Sequence, residues 1–153
     1  GVAMLKLNRL HLHLTDDNGW RLEIKKYPGL TKIGAWHVER SGDFPQRTNP
    51  GKSEPTPIGG FYTQKEMKEI IDYATDKNVE IIPEIEMPAH SNAALAAYPS
   101  LVCPVVKDFI GVLPGLGGDA AKHVYCAGNE NVFHFLNKYY KCGISLTKKN
   151  GQL

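Results

Sequence analysis

The chain has 153 residues and a mass of 17.0 kDa, which predicts a single domain. Hydrophobic residues make up 42% and charged residues 22%, and these fractions exclude a disordered or fibrous protein. The net charge of +2 indicates neither nucleic acid nor an anionic membrane as a partner. No run of about 20 apolar residues is present, so we expect no membrane span, and the chain shows no signal-peptide pattern.

The first predicted element is a strand over residues 9–15. Leucines at positions 10, 12 and 14 alternate with the polar residues Arg9, His11 and His13, and a period of two is typical of a strand with one apolar face. A cluster of turn formers follows, and we expect a short strand over residues 20–24. Residues 41–60 are rich in proline and glycine, which predicts a long loop.

A helix and a second strand come next. Thr63 and Glu66 have the spacing of a capping box, and Asn78 is a suitable helix stop. The apolar stripe of an amphipathic helix lies between them, at Met67, Ile70, Ile71 and Ala74. A strand over residues 79–87 follows directly. Strand, helix and strand in this order predict a parallel pair joined by a right-handed crossover.

The later part of the chain is less regular. We expect a short alanine-rich helix over residues 92–97 and a helix over residues 130–140. The apolar side of that last helix is expected to carry Val132, Phe133, Leu136 and Tyr140. The tail after residue 141 has no clear period. The glycine-rich segment 115–119 lacks the strand and helix of a phosphate-binding loop, so we interpret it as a bare loop.

Three cysteines are present, Cys103, Cys126 and Cys142, and they form no CxxC metal motif. They allow at most one disulfide bond within the chain. Three reduced thiols and one loop-closing disulfide both fit this pattern, so the sequence leaves the two alternatives open.

Acidic and imidazole side chains follow both predicted strands. Asp16 and Asp17 follow the first strand, while Glu84, Glu86 and then His90 follow the second. In a (β/α)8 barrel the leucine and isoleucine positions would face the helices, and the histidine and glutamate positions would face the interior. Because active sites form at the carboxyl ends of barrel strands, these groups are predicted to converge on one face.

Two structural interpretations compete with this functional one. Strand-end aspartates commonly cap turns, and for Asp16 alone we favour that role. Inward histidines and glutamates can also form a satisfied polar network without chemistry. For Asp17 and His90 together we favour a functional role, because two strands deliver them to the same face.

A metal site is another alternative. His11 and His13 form the HxH pair of barrel metallohydrolases, and Glu84, Glu86 or His90 would complete a set of nitrogen and oxygen ligands. However, His13 lies before the end of the strand, whereas a catalytic metal needs an open position near the mouth of a barrel. We therefore favour an interpretation without metal.

The chain closely resembles the β-N-acetylhexosaminidases of glycoside hydrolase family 20. Residues 7–24 carry this resemblance most clearly, and they run Leu-Asn-Arg-Leu-His-Leu-His-Leu-Thr-Asp-Asp-Asn-Gly-Trp-Arg-Leu-Glu-Ile. Residues 81–91 continue it as Ile-Ile-Pro-Glu-Ile-Glu-Met-Pro-Ala-His-Ser. Further matches lie at residues 27–28, 33–36, 59–63, 93–99 and 126–129, so that the resemblance covers about residues 4–140.

The resemblance implies an α/β fold, here part of a (β/α)8 barrel with parallel strands and long βα loops. It implies removal of terminal N-acetylglucosamine or N-acetylgalactosamine from glycans with retention at the anomeric carbon. The 2-acetamido oxygen of the substrate is the nucleophile, a glutamate is the general acid and base, and an adjacent aspartate orients the acetamido group. No cofactor is implied, and the implied locations are secreted, periplasmic or lysosomal.

Site residues carry over at matching positions. Asp17 matches the strand-end aspartate and His90 the Pro-x-His histidine, which support the catalytic glutamate in the family. Asp16, Glu86 and His13 are expected around them, in contact with substrate or with that network. Glu86 stands where aspartate is common, and Ala89 stands where glycine is usual.

The resemblance has one large departure, because the chain contains no adjacent Asp-Glu pair. A full barrel takes about 250 residues, and at least about 200. We therefore expect residues 1–140 to be the N-terminal part of the catalytic barrel and residues 141–153 a divergent or truncated tail. The isolated chain is predicted to be inactive, and a non-catalytic sugar-binding fragment is an open alternative.

Overall fold

The computed structural model describes residues 1–40, 49–114 and 123–147. The predicted glycine-rich loop at residues 115–119 lies outside this part. The elements in chain order are the 3₁₀ turn Val2–Leu5, β1 (Arg9–His13), β2 (Thr15–Asp16), β3 (Gly19–Trp20), α1 (Gly29–Lys32), β4 (Trp36–His37), β5 (Ile58–Gly59), α2 (Gln64–Asp76), β6 (Glu80–Glu84), α3 (Asn92–Ala97), the 3₁₀ turn Pro99–Leu101 and α4 (Glu130–Thr147). None of the described helices is long and apolar enough to cross a membrane.

Strands β1 and β6 form the parallel pair that the sequence predicts. Leu12 lies opposite Pro83 and His13 opposite Glu84. The apolar residues of the pair pack against α2 in a small core cluster of Ala74, Val79, Ile81, Leu10, Leu12, Ile70, Ile71 and Val2. His11 and His13 are exposed on the other face. The predicted helix-facing apolar side is therefore confirmed, and the polar positions lie on the opposite face of the pair.

Helix α2 begins and ends as predicted. The Thr63 hydroxyl accepts the Glu66 N–H at 3.2 Å, and the Glu66 carboxylate accepts the Thr63 N–H at 2.8 Å, which completes the capping box. Asn78 has a φ of 56°, the left-handed conformation that commonly ends a helix. Of the predicted stripe, Met67 and Ala74 are buried.

The main core lies between β3, α3 and α4. Trp20 is 1% exposed and Tyr139 is 0% exposed, and their rings meet edge to face with centroids 5.5 Å apart. Leu95 of α3 is also fully buried in this cluster. This packing fixes the turn between β2 and β3, which carries the strand-end aspartates.

Helix α4 departs from its prediction in length and in orientation. It continues to Thr147, so the predicted end near residue 140 is wrong. Phe135 and Tyr139 are buried, whereas Phe133 is 51% exposed. Apolar residues occur on several sides of this helix, so two different stripes fit the helical spacing. One is the predicted stripe with Phe133, and the other contains Phe135 and Tyr139. Packing of Tyr139 against Trp20 selects the second stripe.

The predicted strands are also shorter than expected. Strand β6 ends at Glu84 rather than near residue 87. Over residues 20–24, only Trp20 belongs to a strand, and Leu22 forms an isolated bridge with Tyr62. The chain then turns, with the Tyr27 N–H bonded to the Ile24 carbonyl at 2.8 Å, and a turn removes the ladder partner that a longer strand would need.

A disulfide bond joins Cys103 to Cys126, which settles the question that the sequence leaves open. The segment containing Cys126 is held further by two backbone hydrogen bonds. The Tyr125 N–H donates to the Pro88 carbonyl at 3.0 Å, and the Cys126 N–H donates to the Leu101 carbonyl at 2.9 Å. The disulfide segment therefore contacts the loop that carries His90.

Candidate active site

Glu84 bridges two imidazoles on the open face of the parallel pair. Its Oε1 lies 3.1 Å from His13 Nδ1, and its Oε2 lies 2.5 Å from His11 Nε2. The first contact follows from the register, which places His13 opposite Glu84 on neighbouring strands. Both histidines share this face because they are two residues apart in one strand.

The contacts continue from His13 to the aspartates after β1. His13 Nε2 lies 3.3 Å from Asp16 Oδ2, and Asp16 Oδ1 lies 3.2 Å from His90 Nδ1. His90 Nδ1 also lies 3.6 Å from Asp17 Oδ2. Imidazoles and carboxylates thus alternate through one connected set, called here the His–carboxylate chain: His11, Glu84, His13, Asp16, His90 and Asp17.

Asp17 is the buried end of this chain, with 0% exposure. Its Oδ1 accepts the Asn92 N–H at 3.2 Å, and its carbonyl accepts the Leu113 N–H at 3.0 Å. Two separate segments therefore hold Asp17, one through its carboxylate and one through its main chain. A buried carboxylate in this position orients the imidazole that it contacts.

His90 is the exposed partner of that aspartate, since 49% of its side-chain surface is accessible. Its backbone has a φ of 50°, which is uncommon outside glycine and occurs often at functional positions. The Ser91 hydroxyl donates to the Ala89 carbonyl at 2.8 Å and thereby braces the turn. His90 consequently combines a fixed backbone with a solvent-facing ring.

Asp16 has both of the roles considered for it. Its Oδ1 accepts the Asp17 N–H at 2.5 Å, as a turn-forming aspartate would. The same carboxylate contacts His13 and His90. The turn role favoured for Asp16 alone is therefore present together with a place in the chain of ionisable groups.

Glu86 lies beside this chain, and its environment disfavours its charge. Burial raises the pKa of Glu86, and a hydrogen bond with Glu84 together with that neighbour's charge raises it further, while His90 and His13 oppose these effects. The Glu86 N–H donates to the Thr15 hydroxyl at 2.9 Å. Glu86 therefore holds a proton to higher pH than an ordinary glutamate does.

The structure brings all five predicted site residues together, and it adds Glu84. The five are His13, Asp16, Asp17, Glu86 and His90. Glu84 is predicted to converge on this face and is a ligand in the metal alternative, but it is not among the five predicted site residues, and it contacts both histidines of β1. Its signal in the sequence is its position two residues before Glu86, at the end of the predicted polar alternation. Only the pairing register, which local patterns do not specify, shows which imidazoles it meets.

A pocket of about 570 Å³ opens next to His13. Arg21, Phe61 and Tyr62 contribute to its walls. The Arg21 guanidinium closes one side, since it donates to the Ala35 carbonyl at 2.7 Å and the Gly60 carbonyl at 2.9 Å. The pocket therefore places an arginine and two aromatic side chains beside the ionisable groups.

Two groups of the described residues have the donor atoms for a metal ion. His13, Glu84 and Glu86 form one, and Asp16, Asp17 and His90 form the other, with the donor atoms of each within 4.8 Å of one another. His11 belongs to neither group. The HxH pair of the metallohydrolase alternative is therefore not brought together as one ligand set in the described part of the chain.

Comparison with known proteins shows the family. The model of the glycosyl hydrolase family 20 catalytic domain matches residues 1–150. The chain belongs to glycosyl hydrolase family 20. The β-hexosaminidase of Porphyromonas gingivalis is 44% identical over 136 residues, which cover 89% of this chain and 15% of that protein. The chain thus spans less than a fifth of that relative.

Solved structures of family 20 proteins match the fold as well. A β-N-acetylhexosaminidase from Bacteroides fragilis superposes with a TM-score of 0.71 at 37% identity, covering 95% of this chain and 25% of that one. A mutant Streptomyces plicatus β-hexosaminidase in complex with the product GlcNAc gives a TM-score of 0.73 at 36% identity, covering 95% and 26%. Hexosaminidases of this family have a TIM-barrel catalytic domain, and the described residues of this chain form an α/β unit with one pair of parallel strands.

Proposed function

We propose that this chain forms part of the (β/α)8 barrel of a β-N-acetylhexosaminidase, which removes terminal N-acetylhexosamine from glycans. The main observation in support of this proposal is that Asp16, Asp17 and His90 meet at the shared end of two parallel strands. Family membership supports the reaction class, and the position of these groups at strand ends supports the site. In this proposal β1 and β6 are neighbouring barrel strands.

In this proposal Asp17 and His90 position a catalytic glutamate. His90 directs Nδ1 toward Asp16 and Asp17, so its Nε2 is the nitrogen left to face that glutamate. The buried Asp17 holds the ring in place while the glutamate switches between acid and base. Glu86 and His13 extend the network, and Glu84 joins it to His11.

The catalytic glutamate and the aspartate that orients the acetamido group are proposed to come from outside these 153 residues. The sequence contains no adjacent Asp-Glu pair. We therefore propose that the 153-residue polypeptide alone does not hydrolyse N-acetylhexosaminides. The Cys103–Cys126 disulfide supports a secreted, periplasmic or lysosomal location, since disulfides persist in oxidising compartments.

A chimera tests the proposed function. Residues 1–140 of this chain replace the matching segment of the Porphyromonas gingivalis β-hexosaminidase, and hydrolysis of 4-nitrophenyl N-acetyl-β-glucosaminide is measured for the chimera and for the 153-residue chain. We expect the chimera to be active and the chain to be inactive. In the chimera, Asp17→Asn is expected to lower kcat about 10²-fold or more, since general acid–base catalysis contributes about 10²–10⁴-fold.

The control separates positioning from folding. Lys65→Ala, on the exposed surface of α2, is expected to leave kcat and KM unchanged. Asp17→Asn should also shift the pH profile of kcat, which a merely structural defect would not do. Hydrolysis by the isolated chain at an enzymatic rate, or an Asp17→Asn chimera as active as its parent, would contradict the proposal.

A further inference from the structure

We propose that Asn49 is a positioning residue of the candidate active site, because its side chain holds a segment of backbone that fixes Asp17. This segment, residues 109–113, is called here the strap. The inference rests on the proposed function, in which Asp17 holds the His90 ring toward a catalytic glutamate. It adds a residue that lies outside the His–carboxylate chain.

The strap is buried although it has no regular secondary structure. Its residues Ile110, Val112 and Leu113 are all buried. Buried backbone N–H and carbonyl groups need hydrogen-bond partners, which a neighbouring strand would supply in a sheet. In the strap, groups from other segments of the chain supply them instead.

Asn49 supplies two of these partners. Its Oδ1 accepts the Gly111 N–H at 3.0 Å, and its Nδ2 donates to the Phe109 carbonyl. An asparagine side chain carries one carbonyl oxygen and one NH₂ group. Asn49 therefore pairs with alternate residues of the strap, much as a residue of a neighbouring parallel strand does.

Packing at Gly111 depends on the absence of a side chain. A Cβ atom at this position would lie 2.3 Å from Pro50 Cγ and 2.6 Å from Pro50 Cδ. Pro50 is buried, and its ring is rigid, so it cannot move aside as the end of a flexible side chain would. Asn49 and Pro50 together therefore form one close contact with the strap.

The strap is connected to Asp17 by two routes. The Leu113 N–H donates to the Asp17 carbonyl at 3.0 Å. The Gly111 carbonyl accepts Asn92 Nδ2 at 3.4 Å, and the Asn92 N–H donates to Asp17 Oδ1 at 3.2 Å. Gly111 is thus held by Asn49 through its N–H and by Asn92 through its carbonyl. Loss of the Asn49 contacts is expected to loosen both the main chain and the carboxylate of Asp17.

A loosened Asp17 is expected to affect the chemical step more than substrate binding. In the proposed function Asp17 keeps the His90 ring in place while the glutamate exchanges its proton. A small misplacement of a positioned group can slow a reaction strongly, whereas KM changes only if contacts that bind the substrate are lost. Asn49 is therefore expected to act on kcat.

The first test is amide hydrogen exchange in the 153-residue chain, which needs no catalytic activity. In Asn49→Ala we expect the Gly111 and Leu113 amides to exchange at least about fivefold faster, because a lost hydrogen bond eases local opening. The amide of Leu95, in the core of α3, is the internal reference and should not change. Asn137→Ala, which truncates an exposed asparagine of α4, is the matched control and should leave all three amides as in wild type.

The second test is kinetic and uses the chimera. Asn49→Ala is expected to lower kcat about tenfold and to leave KM within about twofold. An effect that acts through Asp17 disappears once Asp17 itself is altered, so Asn49→Ala should lower kcat no further in the Asp17→Asn chimera. A general folding defect would instead lower kcat by the same factor in both backgrounds.

Gly111→Ala is the second variant, since it displaces the strap from Pro50 without removing a hydrogen-bonding side chain. It is expected to reproduce both effects of Asn49→Ala, and circular dichroism checks that each variant is folded. An inactive parent chimera would contradict the proposed function, and exchange would then decide alone whether Asn49 holds the strap. Unchanged exchange of the Leu113 amide in both variants overturns the proposal. So does a kcat that Asn49→Ala leaves unchanged, or lowers equally with and without Asp17→Asn.

Discussion

The Arg21 side chain holds three segments of the backbone together. Its guanidinium donates to the carbonyls of Ala35 at 2.7 Å, Gly60 at 2.9 Å and Asn18 at 2.8 Å. This cation is partly removed from water, and its burial lowers the pKa of Arg21. Of these carbonyls, that of Asn18 lies in the turn after β2, that of Ala35 directly precedes β4, and that of Gly60 directly follows β5.

Arg21→Lys tests the importance of these three hydrogen bonds. A lysine ammonium keeps the charge, but it cannot reach three carbonyls in different directions. Hydrogen bonds to charged groups contribute about 1.5–3 kcal/mol each, so the loss of one of the three bonds is expected to lower the free energy of unfolding by about 2–3 kcal/mol in urea titrations. Arg9→Lys is the control, because Arg9 makes one exposed ion pair with Glu80, and such pairs contribute about 0–1 kcal/mol. Equal effects of the two changes would contradict this account.

Among the elements, α2 is stabilised by a capping box that depends on pH. Backbone and side-chain hydrogen bonds from Thr63 lower the pKa of Glu66 below its usual 4.5. A carboxylate with a lowered pKa stabilises the folded state fully above its unfolded pKa. That contribution is lost as the pH falls through the folded value.

Glu66→Gln isolates this contribution, because glutamine keeps the hydrogen bond and removes the charge. We expect wild type to be more stable than the variant above about pH 4.5 and the difference to vanish in more acidic solution. Thermal unfolding between pH 2 and 7 measures it. Glu69→Gln, which removes an exposed charge from the same helix, is the comparison. A difference that stays constant with pH would show that the charge has no role.

Prediction from sequence succeeds where one pattern fits one element. Thr63, Glu66 and Asn78 define both ends of α2, and the leucines of β1 define its buried face. For α4 the pattern is ambiguous, since Phe133 and Phe135 both fit an apolar stripe, and only the tertiary contacts of Phe135 with rings such as Tyr27 and Tyr139 decide between them. The predicted meeting of Asp17 and His90 relies on barrel geometry, whereas the role of Glu84 depends on a register that no local pattern contains.

At the scale of the whole molecule, the Cys103–Cys126 disulfide joins the segment after α3 to the segment before α4. The two cysteines are 23 residues apart in sequence. Through Tyr125, whose N–H donates to the Pro88 carbonyl, the linked segment also contacts the loop of His90. The covalent link therefore supports the core and one wall of the candidate active site together.

Removal of this disulfide is expected to lower the free energy of unfolding by about 3 kcal/mol, the entropy of closing a loop of this size. Urea titrations of the double variant Cys103→Ser with Cys126→Ser measure the change. A reducing agent is expected to destabilise wild type by a similar amount and to leave the double variant unaffected. Unchanged stability in both experiments would show that packing alone holds the two segments.

Pro83 lies in β6 opposite Leu12, and proline has no N–H to donate. The N–H of Glu80 and the carbonyl of Glu84 bond across to β1, so the alternation of a strand turns position 83 toward the other border of β6. A strand arriving at that border meets an interrupted ladder, which disfavours indiscriminate pairing and fibril growth. Pro83 thus protects this border of β6 against aggregation.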